Sequence, residues 1–436
     1  MAGQFDHGDA AWILTSTALV FLMIPGLGYF YSGMAQTKNA LSLITICCVS
    51  IAIVAIEWFL VGYSFTFSTH GGAFIGTFHN AALVGLNGDP SVATPAISDY
   101  LHMLYQFTFA AITPALAVGA AAERGRLLPS MIFVLIWSLV VYNFVAYWTW
   151  NPNGWGTQLG VLDYAGGTPV HITSGFAALI YSIKLGVRSG HGVSEFKPHN
   201  MSNVMLGTSL LWFGWFGFNG GSALAANTRA AYSVISTNLA ASAGGLTWML
   251  MDYMLVDRKY SALGFCSGAV AGLVAITPAA GYVEAWASII LGIVGAIVCN
   301  FAVRFKQWMH YDDALDVFAV HGVGGIVGSL LTGIFASAKV AGLDPDIKIA
   351  GGWVDGNWMQ ILYQLADICA AAVWSALITY IILTVMDLIP GLEIRVDDHK
   401  ENLGLDLAEL GMEAYPPVLH VGTGSNSSQN DEKIIV

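Results

Sequence analysis

The sequence predicts an all-α integral membrane protein. Eleven transmembrane helices are expected, as a five-plus-five inverted repeat followed by a long final helix, with the amino terminus outside and the carboxyl tail in the cytoplasm. Three observations predict this. The 436 residues are 56% hydrophobic and only 10% charged, with a mean hydropathy of +0.64, far from the balance of a soluble domain. The apolar residues fall in continuous blocks long enough to cross about 30 Å of hydrocarbon, which takes about 20 helical residues; barrel strands would be shorter and alternate in polarity. Lys and Arg are also unevenly shared between alternate connections, as the positive-inside rule requires.

The predicted spans lie near residues 10 to 33, 40 to 66, 99 to 122, 127 to 149, 166 to 187, 202 to 222, 230 to 254, 260 to 278, 284 to 305, 315 to 337 and 357 to 387. The last is long enough to tilt or protrude. One set of connections carries 13 basic residues: Lys38, Arg124, Arg126, Lys184, Arg188, Lys197, Arg258, Lys259, Arg304, Lys306, Arg395, Lys400 and Lys433. The other carries Arg229, Lys339 and Lys348. A miscounted span would scramble this alternation, so the bias supports the count as well as the orientation.

The net charge of -12 owes much to the tail, where Glu393, Asp397, Asp398, Glu401, Asp406, Glu409 and Glu413 cluster. That acidity argues against a nucleic-acid partner. Cys47, Cys48, Cys266, Cys299 and Cys369 all fall within predicted spans, so they read as buried packing residues, not disulfide partners. The first ten residues lack a basic n-region and the apolar run after them is long, so no cleaved signal peptide is expected. Asn200 and Asn426 begin N-x-Ser/Thr triplets on the cytoplasmic side, so no N-glycan is expected.

Two regions follow: a membrane domain over residues 1–388 and a cytoplasmic tail over 389–436, with disorder expected from Val421 to Asn430. Gly recurs within spans, as at Gly207, Gly214, Gly217, Gly220 and Gly221, or Gly322, Gly324, Gly325 and Gly328, where small residues let helices approach closely. The repeat rests mainly on helix count, because a five-helix unit used twice must enter the membrane with opposite polarity. Ile112-Thr113-Pro114-Ala115 recurs as Ile276-Thr277-Pro278-Ala279, but at a different depth.

Ionisable residues inside a membrane are costly and mark functional positions. His171 in the fifth span and His321 in the tenth occupy corresponding helices of the two halves, which predicts that they meet near the midplane. A lone histidine there would read as an interhelical hydrogen bond; a matched pair suits a path for a small hydrogen-bonding solute. A metal site is disfavoured, since no third His or Cys lies at helical spacing from either. Asp163 precedes the fifth span and Asp316 the tenth; Asp163 reads as a helix cap or as a carboxylate holding carbonyls near an outer cation site. Glu57 beside Trp58 receives no role. Tyr105, Phe109, Trp148, Trp150, Trp155, Trp212, Phe213, Trp215, Phe216 and Phe218 gather near outer span ends. They form an interfacial belt or a vestibule attracting cations through ring faces, with Ser222 as a further acceptor.

Several runs together carry a resemblance: Gln106 to Arg124, Leu162 to His171, Phe196 to Asn200, Trp212 to Ala223, and Asp316 to Gly328. In this order they resemble the ammonium transporter family (Amt/Mep/Rh), most closely its fungal Mep branch, over nearly the whole membrane domain. The resemblance implies a homotrimer in the plasma membrane with a pore in each subunit. Trp150, Ser222, Phe109 and Tyr105 would bind ammonium outside, where the family often has Phe in place of Tyr105. Phe109 and Phe218 would form the gate, His171 and His321 the twin histidines, and Asp163 the carboxylate supporting recruitment. Gly404, Leu405, Asp406, Gly411 and Glu413 resemble the family's regulatory tail, open to a kinase or signalling protein; Leu410 departs from a His common there.

The function expected is thus ammonium or ammonia transport for nitrogen uptake, with ammonium sensing and a neutral-solute channel as competing readings. No cofactor or metal is expected, and an enzyme is not, because no HExxH, GxSxG or comparable set occurs.

Overall fold

A computed structural model describes residues 5–193 and 196–415. Lys433, Asn426 and the stretch from Val421 to Asn430 lie outside the described residues. Among those described, the chain is helical without a strand. The main helices are α1 (His7–Met34), α2 (Thr37–Phe67), α3 (Asp99–Ala121) and α4, which runs from Leu127–Trp137 through a wide turn at Ser138–Tyr142 into Asn143–Trp150. Next come α5 (Gly167–Ile172 continuing as Thr173–Leu185), α6 (Met201–Gly220), α7 (Thr228–Asp252) and α8 (Ala262–Ile276). The series ends with α9 (Ala285–Met309), α10 (Phe318–Phe335), α11 (Gln360–Asp387) and the short α12 (Asp398–Leu403). Each predicted span falls on one of these helices, and eight helices are long and apolar enough to cross a membrane by length and composition.

With hydrocarbon outside, helix association depends on close packing more than on hiding apolar surface. The glycines supply it. A Cβ on Gly207 of α6 would lie 2.4 Å from the Phe30 nitrogen of α1, and one on Gly268 of α8 would lie 2.5 Å from the Gly244 carbonyl of α7. At the centre, a Cβ on Gly175 of α5 would sit 2.3 Å from the Gly322 Cα of α10, and one on Gly325 would sit 3.2 Å from the His171 Cβ. Two backbones therefore cross almost in contact beside the two histidines.

The five cysteines divide differently from expectation: Cys47, Cys266 and Cys299 are buried, whereas Cys48 and Cys369 are exposed on outward faces. Membership of a span does not fix the rotation of its helix, and successive residues point about 100° apart. Glu57, at 4% exposure, is held by hydrogen bonds from Asn143 (2.8 Å) and Ser138 (3.3 Å) across the bundle.

The chain from 389 to 415 packs on one end of the bundle. Asp406 accepts from the Leu41 and Ser42 nitrogens at the start of α2, and Glu409 accepts from the Leu127 nitrogen at the start of α4. Arg395 donates to the last carbonyl of α5 at Leu185 and to Glu401, which accepts from the Ser189 nitrogen. Beneath this lies a buried ion cluster. Arg188 makes a two-pronged contact with Asp312 (both 2.8 Å) and a third bond to Glu123 (2.7 Å). Burial pushes the Asp312 carboxyl up, but the Arg188 guanidinium outweighs it and holds the carboxyl well below its usual range. Arg188→Ala removes the cation bonded to two buried carboxylates and is expected to cost about 3–5 kcal/mol, read as a lower melting temperature in detergent. A carboxyl held low contributes stability above its unfolded pKa of about 4 and loses it on further acidification. The gap between wild type and variant should therefore narrow as the pH falls below about 4.

Candidate functional site

The site begins where α4 ends. Trp150 is the last residue of α4, and its indole donates to the Asp163 carbonyl at 3.2 Å. The Asp163 side chain caps α5: one oxygen accepts from the Gly166 and Gly167 nitrogens (2.7 and 2.9 Å), the other from Thr168 (2.7 Å). Gly166 adopts a φ of 110°, open to Gly without Cβ strain, and this bend aims the three N–H groups at the carboxylate. Asp163 thus fixes both the start of the His171 helix and the carbonyl that orients Trp150. Ser222 donates to the Phe218 carbonyl at 2.8 Å, and Tyr105 donates to the same carbonyl at 2.8 Å and lies 3.3 Å from the Ser222 hydroxyl. Trp150, Asp163 and Ser222 line a vestibule of about 560 Å³ together with Gln106, Tyr164 and Arg229. The Arg229 guanidinium lies 4.8 and 4.9 Å from the centroids of the Tyr164 and Tyr282 rings, which meet each other edge-on.

Beneath the vestibule, Phe109 and Phe218 stack with centroids 4.1 Å apart and planes at 26°, both fully buried. Phe109 also meets Tyr105 edge-on at 5.0 Å and Trp150 at 5.9 Å. On the far side of the pair, Leu27, Leu116, Val170 and Trp215 enclose a small cavity of about 20 Å³ that reaches His171 and His321. The two Nδ1 atoms are 3.2 Å apart. Such a contact requires one Nδ1 to donate and the other to accept, so the rings take opposite tautomers: one Nε2 is an acceptor and the other a donor. Trp215 stacks on His171 at 5.5 Å with its indole N–H fixed by Thr277. Past His321, a second small cavity lined by Tyr31, Trp248, Leu315 and Asp316 leads toward the tail end. The order along this axis is vestibule, ring pair, apolar chamber, imidazole pair, inner chamber.

The structure brings Tyr105, Phe109, Trp150, Asp163, His171, Phe218, Ser222 and His321 to this axis and sends other aromatics elsewhere. Trp148 packs against Trp155 and Trp374 away from it, and Phe213 is 54% exposed on the outer face of α6. Asp316 does not mirror Asp163: its backbone is left-handed and it pairs with Lys306 at 2.5 Å. Asp313 takes that place, accepting from the Phe318 nitrogen at 2.8 Å at the start of α10. Burial and the neighbouring Asp316 push the Asp313 carboxyl up to about 6. Spacing could have identified it, because Asp313 precedes His321 by the same eight positions that separate Asp163 from His171. Trp215 also received no separate role from sequence; its stacking on His171 is visible only once α5 and α6 are packed. Among the described residues, no group of three or more His, Cys, Asp or Glu side chains is arranged to hold a metal ion.

The profile of the Ammonium Transporter Family matches residues 11–415. Ammonium transporter 1 of Schizosaccharomyces pombe is 49% identical over 98% of this chain and 89% of its own. Ammonium transporter MEP2 of Saccharomyces cerevisiae is 46% identical over 94% and 84%. The crystal structure of Candida albicans Mep2 superposes with a TM-score of 0.87 at 50% identity, covering 91% of this chain and 88% of that one.

Replacing Asp163 with Ala leaves three helix-terminal N–H groups without their acceptor and is expected to cost about 2 kcal/mol or more. Asp163→Asn, which keeps one acceptor oxygen, should cost less. Thermal unfolding of both variants checks the ranking.

Proposed function

We propose that this chain, which belongs to the Ammonium Transporter Family, moves ammonium across the plasma membrane by stripping it to ammonia at the ring pair. Helices α1 to α11 each cross the bilayer in this reading, with the vestibule outside and the tail in the cytoplasm. The charge distribution supports that orientation, since Arg124, Arg188 and Arg395 cluster under the tail while Arg229 and Lys339 occupy the vestibule end. The matched Asp-to-His spacing and the reciprocal Gly175 and Gly325 contacts support a two-fold relation between the halves.

Ammonium enters the vestibule, where the faces of Trp150 and Phe109, the Ser222 and Tyr105 hydroxyls and the field of Asp163 replace part of its water. Passage beyond Phe109 and Phe218 as a cation would incur a large desolvation cost, whereas neutral ammonia crosses an apolar chamber readily. The proton is therefore left behind. Ammonia then meets the unbonded Nε2 of His171, which has no protein partner, and the imidazole pair hydrogen-bonds it onward. The shared proton between the Nδ1 atoms allows the pair to pass a proton separately. Potassium cannot discard its charge, so it is excluded by chemistry. Three chains form a trimer, each with its own pore, and residues 389–436 serve as a regulatory tail for a kinase or signalling protein; its contacts with the starts of α2 and α4 give it purchase on the bundle.

The observation that carries this reading is the single file of vestibule, stacked phenyl rings and bonded imidazoles. Its test is current and luminal pH on adding ammonium to proteoliposomes. His171→Ala combined with His321→Ala is expected to lower ammonium current roughly 10²-fold or to admit potassium. No ammonium-dependent current or pH change in folded wild type would overturn the transporter reading and favour a sensor.

A further inference from the structure

α11 presents a polar stripe to the segment that leads into α5. Gln360 donates to the Gly160 carbonyl, and Gln364 both accepts from the Leu162 nitrogen and donates to the Leu162 carbonyl. These two amides pin the backbone just before Asp163. Asp367 continues the stripe on the same face, about 10 Å along the helix from Gln360, yet it pins nothing. It is 1% exposed, and neither carboxylate oxygen has a hydrogen-bond partner. Its polar neighbours are the Thr168 hydroxyl, itself buried and without a partner, and the Asp163 carboxylate. Thr168 stands one turn before His171, whose Nε2 is likewise unpartnered.

Two carboxyl groups lie near each other here, and their surroundings differ. Asp163 accepts from three backbone N–H groups, which suits an ionised carboxylate. Asp367 has no backbone N–H donor and no cation, only the Thr168 hydroxyl beside it, and an ionised carboxylate so enclosed would bear a desolvation cost that one hydroxyl does not offset. A carboxylic acid with an O–H to give does not.

We propose that Asp367 is a proton-relay residue, which with the Thr168 hydroxyl carries the proton released by ammonium from the Asp163 side of the vestibule toward His171, apart from the path taken by ammonia. The step is balanced. An N–H bond of ammonium breaks and its electron pair stays on nitrogen, giving ammonia. The proton passes through water to the carbonyl oxygen of the Asp367 acid, and the proton on its other oxygen leaves through Thr168 and water toward the free imidazole nitrogen. Asp367 ends as it began, a neutral acid.

This rests on the transport reading above, and the experiment separates the two. Ammonium current and luminal alkalinisation are recorded together in proteoliposomes of wild type, Asp367→Asn, Asp367→Glu and Thr168→Val. Asp367→Asn keeps the shape and cannot relay a proton; its current is expected to fall about tenfold or more while ammonia-driven alkalinisation persists. Asp367→Glu should recover current, and Thr168→Val should lose it. Infrared difference spectra on adding ammonium should show a carboxylic-acid band that Asp367→Asn removes. Unchanged current in Asp367→Asn, or equal loss of current and alkalinisation with an unaltered melting temperature, overturns the relay. If Asp367→Asn fails to fold, Thr168→Val decides: wild-type current there overturns it. Wild type that alkalinises the lumen without current refutes the relay but not transport, and wild type with neither response refutes the transport reading.

Discussion

The Nδ1 atoms of His171 and His321, 3.2 Å apart between apolar walls, have a hydrogen-bond requirement that the surrounding structure must satisfy. One proton lies between them, so the rings hold opposite tautomers. That arrangement survives only if both rings are held in place, and each ring is on a helix whose start is capped by an aspartate eight residues earlier, Asp163 on α5 and Asp313 on α10. Gly175 and Gly322 let those helices cross almost in backbone contact. Larger side chains at the crossing would force the backbones apart and break the imidazole contact.

Polar groups farther from the axis follow the same logic. Arg229 has its cation covered by two tyrosine faces and a bond to the Gly281 carbonyl. Arg188 shares its charge between Asp312 and Glu123. Glu57 is held by an amide and a hydroxyl. Each costly group has been given partners, which is why an unpartnered carboxyl such as Asp367 stands out against them. The tail joins this scheme by supplying Asp406 and Glu409 to the free N–H groups at the starts of two long helices, where a carboxylate is favoured by the helix dipole.

Much of the protein was legible in one dimension. The hydropathy blocks located the helices to within a few residues, because the length of an apolar run is set locally by the thickness of the layer it crosses. The two histidines could be picked out because ionisable residues are rare in such runs. The family resemblance supplied the residues that converge at the vestibule and ring pair, and the geometry brings all eight of them to one axis.

Other features depended on how each helix is turned about its own axis and on what it meets there. Cys48 and Cys369 lie within helices that the sequence located correctly, yet they face outward. Phe213 and Phe218 are five residues apart on α6, one 54% exposed and one fully buried. Asp313, not Asp316, caps α10 because Asp316 is itself left-handed and pairs with Lys306. Asp367 is an ionisable residue inside a predicted span, marked by the same rule as the histidines but not singled out by any motif; only its packing against α5 shows its oxygens to be without hydrogen-bond partners. Composition and spacing thus determined which segments are helical and which residues are chemically unusual, since both are properties of the chain itself. Tertiary structure alone decided which of those residues face one another, because hydrogen-bond partnership is a relation between segments that a local pattern does not encode.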